Sequence, residues 1–173
     1  MNLRSRIVLS LVFALAFGAT ATAQDAAAPA VVAESNGIKL SIVFVGDTAE
    51  VTVASKVSGW VAVGFDPTNR MANANFLIGY VKDGTAVARD DFGVASTSHA
   101  PDVNVGGKND LVSFSGTEAD GYTTMTFVIP RDSGDPKDHP LSAGKHTVIL
   151  GASSSDGFTA KHTKVGRATI VLP

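Results

Sequence analysis

Apolar and polar residues alternate with a period of two through most of this chain, in short runs broken by turn residues. No other feature constrains its fold as strongly. In "GIKLSIVF" (37–44), Ile38, Leu40, Ile42 and Phe44 fall on one face, and after Gly46-Asp47 the run "AEVTVAS" alternates again with Val51 and Val53 inward. Successive side chains of a strand point to opposite faces, so such runs build half-buried strands. Two of them around a Gly-Asp pair read as a hairpin. "GWVAVGF" (59–65), "FLIGYVK" (76–82) and "TAVARDDF" (85–92) follow, the last two joined by Asp83-Gly84. "DLVSFSG", "YTTMTFVIP", "KHTVILGAS" and "RATIVL" complete the series, with a further turn in "EADGYTT" (118–124). About nine or more short strands at this spacing predict an all-β domain, an antiparallel β-sandwich. The intervening segments 93–109 and 131–145 are long for hairpin loops, and such loops often carry function.

Ahead of the strands, Arg4 and Arg6 precede the apolar run "IVLSLVFALAFG", and "ATA" (21–23) offers small residues for cleavage. This is the pattern of a secretory leader, too short to span a bilayer. Expected boundaries are a signal peptide over 1–23, a flexible tether over 24–35 and one domain over 36–173. The expected location is the periplasm, with secretion to the medium as the other outcome, and no stable membrane insertion after cleavage. The formal net charge of −2 becomes two units more negative if Arg4 and Arg6 leave with the leader. That balance offers no footprint for nucleic acid. The chain has no cysteine, which excludes disulfides, thiol nucleophiles, iron–sulfur clusters and covalent c-type haem.

Met71 breaks the alternation. Met125 is spaced with Phe127 and Ile129 as a core residue, whereas Met71 lies among polar neighbours in "DPTNRMANANF". Among the histidines, His146 begins a strand, and His99 lies in "STSHAPD" without a recognisable partner. His139 sits beside Asp135 and Asp138, where carboxylates and an imidazole could converge on a metal, but with no recognisable ligand spacing the run reads as a solvated acidic loop. His162, in "FTAKHTKVGRATIVL", stands shortly before the final strand. Loops at one end of a sandwich converge, so Met71 and His162 could meet across a pocket. Thioether and imidazole together are an axial pair used by electron-transfer haems. Trp60, Phe65, Phe76 and Ile78 flank the Met71 loop as candidate lining, and Lys161, Lys164 and Arg167 stand near His162 as candidate cations. No Gly-x-Ser-x-Gly or phosphate-binding loop is present, and no His-centred triad can be picked out by spacing. Asp90 and Asp91 are adjacent and so point to opposite strand faces, which suits them poorly for joint acid–base work.

"SGWVAVGFDPTNRMANANFLIGYVKDG", "GTEADGYTTMTFVIPRDSGD" and "HTVILGASSSDGFTAKHTKVGRATIVL" occur in the order of three blocks that resemble DOMON domains. The likeness is to those similar to the haem-binding cytochrome domain of cellobiose dehydrogenase, and it runs from about Ser35 to Leu172. The resemblance implies an immunoglobulin-like, DOMON-type sandwich. It also implies one non-covalent haem b with Met71 and His162 as axial ligands to the iron. On this reading the chain is an exported, soluble b-type cytochrome without catalytic activity of its own. It would pass single electrons to a redox partner protein or a membrane cytochrome. Other DOMON domains bind sugars, so a haem-free carbohydrate-binding module is the alternative, favoured if two or more of Trp60, Tyr80 and Tyr122 share an exposed face. A copper site at Met71 and His162 would need a third ligand.

Overall fold

The computed structural model describes residues 29–173. The leader expected over 1–23 therefore lies outside the described residues, as do 24–28. The rest forms eleven strands, β1 (Val31–Ser35), β2 (Ile38–Val45), β3 (Thr48–Ser55), β4 (Val61–Phe65), β5 (Asn75–Lys82), β6 (Thr85–Ala95), β7 (Ser98–Pro101), β8 (Ser113–Ala119), β9 (Tyr122–Pro130), β10 (Gly144–Ala152) and β11 (Lys164–Leu172). A single 3₁₀ turn, Asp102–Asn104, is the only helix among the described residues, so none is long and apolar enough to cross a membrane.

Two antiparallel sheets face each other, one ordered β1-β2-β3-β9-β8 and the other β11-β10-β4-β5-β6-β7. The alternation explains the core between them. Ile38, Leu40 and Ile42 of β2, Val51 and Val53 of β3, and Met125 and Phe127 of β9 meet Val61, Val63 and Phe65 of β4, Leu77 of β5 and Val148 of β10, all buried. Burial of such side chains stabilises the fold by roughly 1.5–3 kcal/mol each, which makes this layer the main source of cohesion.

One expected boundary is corrected. Val31–Ser35, placed in the tether, forms β1 and pairs with β2 in the register Val31↔Ile42 to Ser35↔Ile38. The hairpin is closed by Asn36 and Gly37 at φ of 53° and 70°. Those positive values are what a type I′ turn requires, and Asn-Gly adopts them readily. Asp83-Gly84 and Asp120-Gly121 repeat the arrangement at φ of 51° and 74°, and 55° and 75°. The segment 93–109 is less open than its composition predicts, because β6 runs on to Ala95 and Ser98–Pro101 folds back against it as β7.

Candidate functional site

β4 is buried along its whole length, and β5 is buried from Asn75 to Gly79. A sheet solvated on one face would expose every second residue. The outer face of the six-stranded sheet is therefore covered at β4–β5, and two loops cover it.

The first is the β4–β5 loop, 66–74, which carries Met71. It lies flat on β6, with Asn73 N donating to Gly93 O (2.7 Å), Gly93 N to Ala74 O (2.8 Å) and Met71 N to Ser96 O (3.4 Å). Gly93 permits this approach, since a Cβ there would collide with the Met71 carbonyl oxygen and lie 3.0 Å from Ala74 N. The second is the β10–β11 loop, 153–163, which carries His162 and is tied to Trp60. Ser153 N donates to Trp60 O (2.9 Å), and Trp60 N donates to Ser155 O (3.3 Å). The indole Nε1 donates to Ala160 O (3.2 Å), and Ser153 Oγ to Lys161 O (3.1 Å).

Register fixes where these loops arise. Val148 pairs with Phe65 and Ala152 with Val61, so β10 ends where β4 begins. The Met71 and His162 loops thus leave opposite ends of the sheet. The expected convergence at one end of the sandwich is replaced by two loops reaching over one outer face.

Between them is a cleft of about 960 Å³ whose lining includes Met71, His162, Trp60, Phe76, Ile78 and Lys161. Its floor is apolar, with Ala62 and Ile149 beside Trp60, Phe76 and Ile78. Glycines keep that floor low: a Cβ on Gly64 would lie 2.5 Å from the Phe76 ring, and one on Gly151 would lie 3.1 Å from the Trp60 ring. A shallower groove of about 480 Å³ crosses the outer face of β1–β3, but no aromatic ring, methionine or histidine lines it.

Two expected lining residues are elsewhere. Phe65 shares its side of β4 with Val61 and Val63 and is fully buried between the sheets, because strand alternation sends it away from Ala62 and the cleft. Lys164 opens β11 with its Nζ directed to Lys56 O (3.1 Å) and Ser55 Oγ (3.4 Å) at the other sheet. It therefore brings no charge to the cleft.

Other residues enter that the sequence did not single out. Arg70, Arg89, His99 and Phe158 line the cleft. Asp91, fully buried, holds two of them: Arg89 donates Nε to Oδ1 (2.7 Å) and Nη2 to Oδ2 (2.5 Å), and His99 donates Nδ1 to Oδ2 (2.5 Å). Burial alone would raise the Asp91 carboxyl, but the hydrogen bonds from His99 and Arg89 outweigh it and hold it below the usual carboxylate range. Thus fixed, Arg89 lies over the Phe158 ring at 4.4 Å, and His99 packs against Phe76 with ring centroids 5.4 Å apart. The adjacent Asp90 and Asp91 signalled this arrangement, since one of them had to face outward. Of the remaining histidines, His146 is structural, bonded to Asp66 Oδ2 (2.6 Å) and Ser142 O (2.8 Å), and His139 donates to Asn73 O (2.5 Å) behind the Met71 loop.

Trp60 is 5 % exposed and Tyr80 packs on Phe158, whereas Tyr122 stands on the other sheet. The three do not form the shared exposed face that a sugar platform needs.

Comparison with known proteins agrees with this architecture. The cytochrome b domain of pyranose dehydrogenase from Coprinopsis cinerea superposes with a TM-score of 0.57 at 14% identity, covering 78% of this chain and 76% of that one. The cytochrome domain of Myriococcum thermophilum cellobiose dehydrogenase gives a TM-score of 0.57 at 11% identity, over 80% and 77%. At these identities the likeness is one of fold. Comparison with curated proteins yields no match. The DOMON domain family model matches residues 34–154, from β1 through Met71 and the cleft floor to the start of the His162 loop, and the chain belongs to the DOMON domain family.

Proposed function

We propose that this chain is an exported b-type cytochrome that holds one non-covalent haem b in the cleft, with Met71 and His162 as its axial ligands. The observation that carries the reading is the shared cleft. A thioether and an imidazole, 91 positions apart in sequence, stand on loops from opposite ends of one sheet and line the same apolar hollow. The cleft suits a flat apolar ring bearing carboxylates. Trp60, Ala62, Phe76, Ile78 and Ile149 offer the apolar surface, while Arg70, Arg89 and Lys161 offer positive charge for the carboxylates. When bound, haem supplies a one-electron ferric–ferrous couple, and ligation by Met and His favours the reduced form.

The protein's residues do the rest. Met71 and His162 would hold the iron between them, which would exclude small ligands and leave electron transfer in place of catalysis. Trp60 anchors the His162 loop, Gly93 seats the Met71 loop, and the apolar floor would keep water from the bound group. The electron is exchanged with a redox partner protein or a membrane cytochrome. Export by cleavage of the leader over 1–23 places this exchange in the periplasm.

A visible spectrum before and after dithionite tests the reading. The wild-type protein from a haem-replete periplasm shows sharp reduced α and β bands. Met71→Ala and His162→Ala each convert it to a high-spin spectrum or lose the pigment. A colourless wild-type protein that also takes up no added haemin overturns the reading.

A further inference from the structure

Behind the Met71 loop, on the inner face of the six-stranded sheet, five aspartates come together from three separate segments. Asp90 is on β6, Asp102 and Asp110 follow β7, and Asp135 and Asp138 lie on the β9–β10 loop. One carboxylate oxygen from each of Asp90, Asp102 and Asp138 lies within 4.8 Å of the others. Gly107 shows how closely the segments approach, since a Cβ on it would lie 3.1 Å from Asp102 Cβ and 3.0 Å from Asp135 Oδ1.

This is not a solvated acidic patch. Asp90, Asp102 and Asp135 are buried, Asp102 to 1 % exposure. The hydrogen bonds are also distributed in a telling way. Asp90 Oδ2 accepts from Asp110 N, Asp135 Oδ1 from Lys137 N, and Asp138 Oδ2 from the Ser133 hydroxyl. Each of these carboxylates is thus oriented by one oxygen while the other, Asp90 Oδ1, Asp135 Oδ2 or Asp138 Oδ1, is buried with no partner. Both oxygens of Asp102 and Oδ2 of Asp110 are likewise buried and unpartnered. Asn75, only 4 % exposed, shares the face of Asp90 and lies diagonal to it across β5–β6, and its Oδ1 also lacks a partner.

Buried oxygens without donors are costly, and buried carboxylates without a cation more so. Burial and mutual repulsion push Asp90 up to about 8, Asp102 to about 7 and Asp138 to about 6. None of the five joins an ion pair among the described residues, and the two cations adjacent to them in sequence are engaged elsewhere, Lys137 over Phe92 and Arg89 with Asp91.

We propose that Asp90, Asp102 and Asp138, supported by Asp110, Asp135 and the amide oxygen of Asn75, bind a calcium ion. The donors are all oxygen, which selects a hard cation over zinc or copper. Calcium takes six to eight oxygens at about 2.3–2.6 Å and tolerates irregular loops. Magnesium demands a tighter octahedron and keeps its waters. Oxygens on opposite sides of a calcium ion stand about 4.8 Å apart, and the three carboxylate oxygens lie within that span of one another. The ion ties the 3₁₀ turn after β7 and the β9–β10 loop to β6. Through the His139–Asn73 hydrogen bond it braces the loop that carries Met71.

The test is calcium titration of the EDTA-treated, full-length protein by calorimetry, with melting followed in calcium, magnesium and EDTA. One calcium ion binds per chain, and at about a hundred-fold excess over Kd the melting temperature rises by roughly 5–10 °C. Asp102→Asn abolishes that rise, yet in EDTA it melts no lower than the wild type because a repelling charge is gone. No shift in wild-type melting with calcium up to about 10 mM, above the range of weak extracellular calcium modules, overturns the proposal. So does an equal shift with magnesium, or an undiminished calcium shift in Asp102→Asn.

Discussion

Gly93 is a residue whose role is visible only through its neighbour. No side chain could stand where the Met71 carbonyl crosses β6, so Gly93→Ala must push the loop outward or twist the strand. We expect a loss of about 1–3 kcal/mol in urea unfolding and, on the proposed haem reading, pigment retention falling further than stability does. Asp91 gives a pH signature. Its carboxyl is held below its unfolded value, so the native state binds fewer protons than the unfolded one near pH 4. The stability it contributes is therefore present above the unfolded pKa of about 3.9 and is lost as pH falls through the lower folded value. Asp91→Asn should remove this part of the acid transition and free Arg89 and His99 from their fixed positions, which acid denaturation followed by circular dichroism would detect. Phe65 and Ala62 show how far single residues were legible. Parity along β4 already assigns Phe65 to the side of Val61 and Val63, while proximity to Met71 in sequence suggested the cleft, and parity prevailed.

At the scale of elements, the alternating strands β2, β3 and β9 could be read from the sequence because each is covered on one face only. β1 could not, since "VVAES" is short and follows an alanine-rich run, although Asn36-Gly37 is as good a hairpin signal as Asp83-Gly84. A chain truncated before Asn36 loses the β1–β2 ladder and the contact of Ser35 Oγ with Arg167 N (3.2 Å). We expect this truncation to lower the unfolding free energy by about 2 kcal/mol and to expose the β2 edge to self-association, read by urea titration and light scattering. The acidic cluster was only partly within reach of local pattern, which showed Asp135 and Asp138 beside His139 but not their partners. Asp90 and Asp138 are brought together by strand pairing and by a loop folding back, and no spacing rule anticipates such a meeting. His99 was hidden in the same way, its partner Asp91 lying across the β6–β7 pairing.

Taken whole, the six-stranded sheet separates two apolar compartments. Phe65, Leu77 and Val148 belong to the layer between the sheets, whereas Trp60, Ala62 and Ile78 form a smaller cluster on the outside with Tyr80, Phe158 and Ala160 packed against it. Substitutions on the two sides should separate cleanly. Phe65→Leu lowers the urea midpoint by the equivalent of about 1–2 kcal/mol and leaves the absorption spectrum of the folded protein unchanged. Ile78→Ala, if the cleft holds haem as proposed, does the reverse in emphasis, weakening haem retention more than it weakens the fold. The placement of the cleft also has a consequence for the order of assembly in time. The outer hollow is no part of the layer on which the fold depends, so a chain can complete its folding empty and receive its occupant afterwards. If the chain is the exported haem protein proposed above, export need not be coupled to loading, and a store of ready but colourless protein would accumulate wherever haem is scarce.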